Sequence, residues 1–187
     1  MATPALARFG SDYLKENYLK PAVAGEMVAC IGVSEPGAGS DVAGVKTTAR
    51  RDGGDYVING QKMWITNGTQ GDWACLLANT GEAGASRHGN KSLIVVPLDA
   101  KGIDRKTKLD KLGQRSSDTA IIFFDNVRVP VKNLIGEEGK GFVYQMTQFQ
   151  EERLFLSASI LVAMERCIDE TSAHHRQRQA FGQSILD

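Results

Sequence analysis

The 187 residues are 42% hydrophobic and 24% charged, a soluble globular composition that excludes a disordered chain. Twenty-two basic and twenty-two acidic residues cancel to a formal net charge of zero, so no global field draws the chain to nucleic acid or an anionic membrane. Any anion site must be local.

In chain order, residues 4 to 20 place Leu6, Phe9, Tyr13 and Tyr18 at near-helical spacing, with Pro21 expected to end the helix. A helix of this length cannot form a core alone, so it must pack against something larger. From Cys30 to Val131 the pattern changes to β-rich runs at 30–34, 45–51, 55–66, 73–79, 91–98, 103–109 and 119–129. About seven strands without an intervening long helix predict an antiparallel β-sandwich or barrel. The fold class is thus α+β: a short helical segment, the β domain, then a long bundle-type helix.

Within the β region, Ser34-Glu35-Pro36-Gly37-Ala38-Gly39-Ser40-Asp41 forms a glycine-rich turn. Its glycines uncover backbone amides, Ser40 offers a hydroxyl and Asp41 can cap the next segment, so the turn can hold a phosphate or a polar ligand edge. The bland alternative is a tight surface turn. Asn59-Gly60 lies between Tyr56-Val57-Ile58 and Lys62-Met63-Trp64-Ile65, the pattern of a two-residue hairpin turn. Two positions apart on that second strand, Trp64 and Thr66 face one side and Ile65 the other. An indole and a hydroxyl on one wall suit a flat aromatic ring, or else a core Trp beside a strand Thr.

After Gly136-Glu137-Glu138-Gly139 the period becomes helical through Phe142, Met146, Phe149, Leu156, Ile160, Ala163 and Cys167, to about Gln179. Between Leu154 and Met164 apolar residues point in nearly every direction, which predicts burial on most sides, with partner helices missing from the chain or supplied by another copy. That stretch is too short to span a bilayer. Gly182 is available to stop the helix. Cys30, Cys75 and Cys167 lack paired spacing, and His88, His174 and His175 lack metal-ligand spacing, so no disulfide framework and no metal site are predicted. A reducing compartment is expected.

Taken together, Val33 to Asp41, Asn59 to Gly68, Gly113-Gln114-Arg115-Ser116-Ser117-Asp118-Thr119, Phe124-Asp125-Asn126-Val127-Arg128-Val129-Pro130, Gly139-Lys140-Gly141-Phe142 and Arg178-Gln179-Ala180-Phe181-Gly182 closely resemble the acyl-CoA dehydrogenase family. The resemblance covers essentially the whole chain and includes the long-chain and isovaleryl branches. It implies three parts: the tail of an N-terminal helical domain at 1–29, a middle β domain at 30–136 carrying the flavin and acyl-CoA cradle, and the start of a C-terminal helical domain at 137–187. The family's length is roughly twice this one, so the chain reads as a piece of a longer enzyme, with poor activity by itself.

By the resemblance, Ile31, Val33 and Ser34 line an FAD, Ser34 standing where many members have Thr. Trp64 covers the ring, Thr66 bonds near the hydride-accepting nitrogen, and Ile65 and Phe181 complete the cofactor set. Arg178 reaches the pyrophosphate of a flavin in a neighbouring subunit. Ser40, Gln150 and Arg153 contact the acyl-CoA; Gln150 replaces an acidic residue of some members, and Arg153 could instead pair with Glu151 or Glu152. The catalytic base is Glu152, or a glutamate beyond the C-terminus. Glu152 leans toward Phe149 and Leu156, an apolar face expected to desolvate it and make it a better base.

The implied reaction is α,β-dehydrogenation of an acyl-CoA thioester, with electrons passing to an electron-transferring flavoprotein. The alternatives are an acyl-CoA oxidase that uses oxygen, or a non-catalytic β-domain fragment without flavin. The family implies a homo-oligomer, dimer or tetramer, in the mitochondrial matrix if eukaryotic and the cytoplasm if bacterial.

Overall fold

A computed structural model describes residues 2–82 and 86–186. They divide into two units, residues 1–148 and residues 149–187.

The first unit opens with short helices α1 (Pro4–Phe9), α2 (Asp12–Leu14) and α3 (Lys20–Ala24), with a single π turn at Lys15–Leu19 before α3. The predicted continuous helix is therefore interrupted at Gly10, and Pro21 does not end it. Pro21 stands in the first turn of α3, where its missing N–H is not needed, and Gly25 at φ 81° ends the helix instead.

The sheet comes next: β1 (Ala29–Gly32), β2 (Thr48–Asp52), β3 (Asp55–Thr66), β4 (Trp73–Asn79), β5 (Lys91–Pro97), β6 (Ile103–Asp104), β7 (Thr119–Pro130) and β8 (Leu134–Ile135). Its order is β6-β7-β3-β2-β4-β5-β8, with β1 beside β4. Most pairs are antiparallel, but β1 and β2 both run parallel to β4, so the expected antiparallel sheet is mixed around β4.

The predicted Asn59-Gly60 hairpin is not formed. β3 runs straight through both residues, and the reversal occurs earlier, at Gly53-Gly54, where Asp52 faces Asp55. Gly60 instead marks a register shift against β7. At φ 144° it lets Thr47 approach so closely that an added Cβ would lie 2.7 Å from the Thr47 Cα. Packing against a distant strand overrides the local turn preference.

Tyr56, Ile58, Ile65, Leu76, Ile94, Val96, Ile122, Phe124 and Val127 fill the core on one side of the sheet. β4 and β5 are buried on both faces, which explains their unbroken apolar runs. Their second face meets the N-terminal helices, with Tyr18 edge-on to Trp73 at 5.9 Å, and the start of α4 (Gly141–Gln177), where an added Cβ on Gly141 would strike the β5 backbone at Ser92. Gln148 accepts a hydrogen bond from the Ala5 amide, and Phe9 stacks on Tyr144 at 3.9 Å.

The second unit holds the rest of α4 and a small hairpin, β9 (Gln179–Ala180) and β10 (Gln183–Ser184). Phe181 and Gly182 form its tip with φ 52° and 83°, the conformation of a two-residue hairpin turn. Within this chain the helix middle is open, Leu154 being 74% exposed and Leu161 59%, as expected where the partner helices are not among these residues. Among the described residues of this unit no second helix accompanies α4, so its apolar directions face solvent.

Candidate functional site

The site is built where the chain leaves β1. Beyond Gly32 the ladder with β4 ends, and the backbone turns at Glu35–Ala38, closed by reciprocal hydrogen bonds of 2.9 and 3.0 Å between Glu35 and Ala38. Added Cβ atoms at Gly37 or Gly39 would meet nothing within 4 Å, so this turn presents open backbone to a ligand. Ser34 is half-buried and Ser40 exposed, whereas Ile31 is half-buried and Val33 is buried. Asp41 does not cap the single turn after it; its carboxylate takes a 2.8 Å hydrogen bond from Arg87. A cleft of about 230 Å³ opens between Pro36-Gly37 and the stretch Gly44 to Thr47, floored by Gly60 and Gln61.

The other half of the site is the end of β3. Trp64 and Thr66 are both exposed on one side and Ile65 is buried in the core, as alternation predicts. Ile65 thus offers a ligand its backbone and not its side chain. Trp64 is unusual in two ways: it is 53% exposed, and its φ is 61°. A bulky residue in the left-handed region is strained and persists where its surroundings force it. The β3–β7 register shifts between Lys62 and Ile65, around this residue.

The two halves are joined by contacts that sequence reasoning missed. The Met63 amide donates to the Ser34 carbonyl at 2.9 Å. Lys62, fully buried, donates from Nζ to the Val33 carbonyl at 2.9 Å and to the Glu35 carboxylate at 2.8 Å. Glu35, also buried, further accepts from the Lys46 and Thr47 amides at 2.7 and 3.0 Å. Burial alone would raise the Glu35 carboxyl, but the Lys62 charge and these donors outweigh it and hold it below the ordinary value. Burial pushes the Lys62 ammonium down to about 8, against the opposing pull of Glu35. The available signal was phase: Lys62 falls among the inward residues of β3, and an inward lysine demands a buried acceptor.

Gln150, Glu152, Arg153, Arg178 and Phe181 belong to the second unit. Glu152 is half-buried and Gln150 exposed, and of the two apolar neighbours expected around Glu152, Phe149 is half-buried and Leu156 is 53% exposed. The Arg153 guanidinium lies 5.8 Å from the Phe149 ring centroid. Arg178 is exposed and its backbone closes the hairpin, with N donating to the His174 carbonyl and O accepting from the Ile185 amide. Phe181 is fully exposed at the tip.

No helix among the described residues is long and apolar enough to cross a membrane, and no cluster of three His, Cys, Asp or Glu among them could hold a metal. Cys30, Cys75 and Cys167 form no disulfide among the described residues. Burial pushes the Cys30 thiol up to about 12, which keeps it protonated and inert.

The donor set fits a flavin. An exposed indole face can cover a flat ring, and the Ser34 and Thr66 hydroxyls can bond its polar edges.

Comparison with known proteins points the same way. Residues 30–127 match the family described as "Acyl-CoA dehydrogenase, middle domain", and residues 139–187 match "Acyl-CoA dehydrogenase, C-terminal domain". The chain is 40% identical over 183 residues to the mitochondrial long-chain specific acyl-CoA dehydrogenase of Rattus norvegicus, covering 97% of the chain and 42% of the relative. It is 40% identical over 180 residues to the mitochondrial isovaleryl-CoA dehydrogenase of Oryza sativa, covering 96% and 44%. A crystal structure of a probable acyl-CoA dehydrogenase from Mycobacterium abscessus superposes with a TM-score of 0.94 at 42% identity, over 100% of this chain and 49% of that one. The chain therefore spans somewhat less than half the length of these proteins.

Proposed function

Since the chain belongs to the acyl-CoA dehydrogenase family, we propose that it supplies the flavin and acyl-CoA cradle of an enzyme that desaturates an acyl-CoA thioester between its α and β carbons. The observation that carries this reading is the strained, exposed Trp64 beside Thr66, tied through Met63 to Ser34 in the glycine-rich turn. FAD, when bound, supplies the acceptor for the β hydrogen as hydride.

The chain's residues do the holding. Trp64 covers the ring face, Thr66 and Ser34 bond its polar edges, and Ile31, Val33 and Ile65 contribute backbone. Ser40, Gln150 and Arg153 hold the acyl-CoA, and Arg178 with Phe181 reaches the flavin of a second copy in a homo-oligomer. Glu152 takes the α proton, unless a glutamate on a later segment does so. Holding the acyl-CoA in one orientation would remove orientational freedom in advance of reaction, and positioning with electrostatic preorganisation would supply most of the rate gain. Electrons then pass to an electron-transferring flavoprotein. The compartment is the mitochondrial matrix in a eukaryote, in keeping with the mitochondrial rat and rice relatives, or the cytoplasm in a bacterium.

The test is reconstitution. Purified protein mixed with FAD is expected to retain a yellow band, and bleaching of that band by an acyl-CoA without oxygen is expected to be slow, in line with the poor activity expected of this chain by itself. Failure to take up FAD overturns the reading in favour of a non-catalytic fragment. Rapid recovery of colour with oxygen alone, without an electron-transferring flavoprotein, would reassign it to the oxidases.

A further inference from the structure

Trp64 faces outward although the phase of Tyr56, Ile58 and Lys62, all buried earlier in β3, would place it inward. Lys62 and Ile65 are both buried in the same sheet, three residues apart. Strict alternation puts residues an odd number apart on opposite faces, so a residue between them must break the pleat. Trp64 does so, at φ 61°, within the Lys62–Ile65 register shift. The position of the inward lysine therefore sets where the break falls and which side chain is thrown outward.

What holds Lys62 inward is the turn across from it. No strand ladder joins the two, because β1 pairs with β4 while β3 pairs with β2 and β7. Hydrogen bonds join them instead, and two of these start from the Lys62 ammonium, reaching the Val33 carbonyl and the Glu35 carboxylate. Glu35 immediately follows Ser34, and Lys62 precedes Trp64 by two. The lysine stem runs beside Gly32, where an added Cβ would lie 3.6 Å from its Cγ.

We propose that Glu35 and Lys62 are a positioning pair for the flavin cradle: their buried ion pair locks the glycine-rich turn onto β3 and so sets the break that presents Trp64 beside the Ser34 hydroxyl. The proposal rests on the flavin reading above. Energetics favour a geometric role over a purely stabilising one. A buried ion pair recovers little beyond its desolvation cost, and apolar replacements of both partners are often neutral or stabilising. Geometry is what the apolar pair would not reproduce, since methionine makes no directed bond to the Val33 carbonyl.

The decisive variant is E35Q/K62M. The Lys46 and Thr47 amides bond different oxygens of the Glu35 carboxylate, so the glutamine introduced by E35Q can accept from only one of them, and the melting temperature reads the loss of the other bond while the ion pair is gone. FAD affinity, the visible band of bound FAD and the melting temperature are measured in parallel on wild-type and variant protein. Expected are a melting temperature lowered by no more than one lost hydrogen bond implies, FAD binding weaker by about tenfold or more, and a shifted flavin band. Unchanged affinity and an unchanged band would overturn the proposal and leave the pair a structural element. Should the double variant fail to fold, K62M alone, which keeps both Glu35 oxygens for the Lys46 and Thr47 amides, is judged by the same criteria. Wild-type protein that takes up no FAD would overturn the functional reading itself, and the proposal with it, an outcome distinct from equal binding by wild type and variants.

Discussion

The β region and the long helix are similarly rich in apolar residues, yet one buries them and the other does not. Leu76, Ile94 and Ile122 are sealed in a sheet assembled from segments far apart in the chain, whereas Leu154, Leu161 and Ile168 stand open along α4. An apolar run is thus only half of an instruction. Burial needs a second surface: the strands find theirs in each other, in the N-terminal helices and in the first turns of α4, and the rest of α4 has none among the described residues of its own unit.

That contrast can be broken by mutation. Leu76→Ala should cost about 2 to 5 kcal/mol in chemical denaturation, because it empties a close-packed site. Leu161→Ala should change stability by less than about 0.5 kcal/mol in the same assay. Comparable losses would mean that α4 is covered in solution. Next in size, Gly60→Ala should destabilise by about 1 to 3 kcal/mol, since the new methyl would meet Thr47 at a backbone angle disfavoured for alanine. A neutral result would show that the β region is less tightly closed than its burial implies.

A smaller, pH-dependent effect sharpens the comparison within the β region. The Glu35 carboxyl lies below its ordinary 4.5 in the folded state. A depressed carboxylate contributes stability that is fully present above the unfolded value and is lost as pH falls through the folded one. Urea midpoints measured from pH 7 downward should therefore fall in the wild type on the acid side and fall less steeply in E35Q. Equal slopes would contradict the assignment. Smallest is Trp64→Gly, expected to be neutral or to stabilise by about 0 to 1 kcal/mol by relieving the left-handed conformation, while FAD uptake is lost. A clear fall in melting temperature would show that Trp64 is held for packing.

Much of this was legible in the residues, and the exceptions share a cause. Asp55 to Thr66 and Trp73 to Asn79 are strands at the expected bounds, and the shared face of Trp64 and Thr66 follows from alternation. Signals that depend on a distant neighbour mislead. Asn59-Gly60 has the local chemistry of a turn, but Thr47 uses its glycine for close approach. Pro21 has the chemistry of a stop, yet it sits where a helix tolerates it. The Glu35–Lys62 pair spans 27 positions and leaves only one trace, an inward-phased lysine, which the pleat break at Trp64 conceals.

The two tryptophans give the chain an optical consequence of its folding. Trp73 is fully buried with an indole nitrogen that finds no partner, whereas Trp64 stands half in solvent on the wall of the cradle. Emission should therefore divide into a blue component shielded from acrylamide and a redder one open to it. A ring docking on the cradle would darken the second by direct contact and close it to acrylamide, so the protein carries its own occupancy gauge.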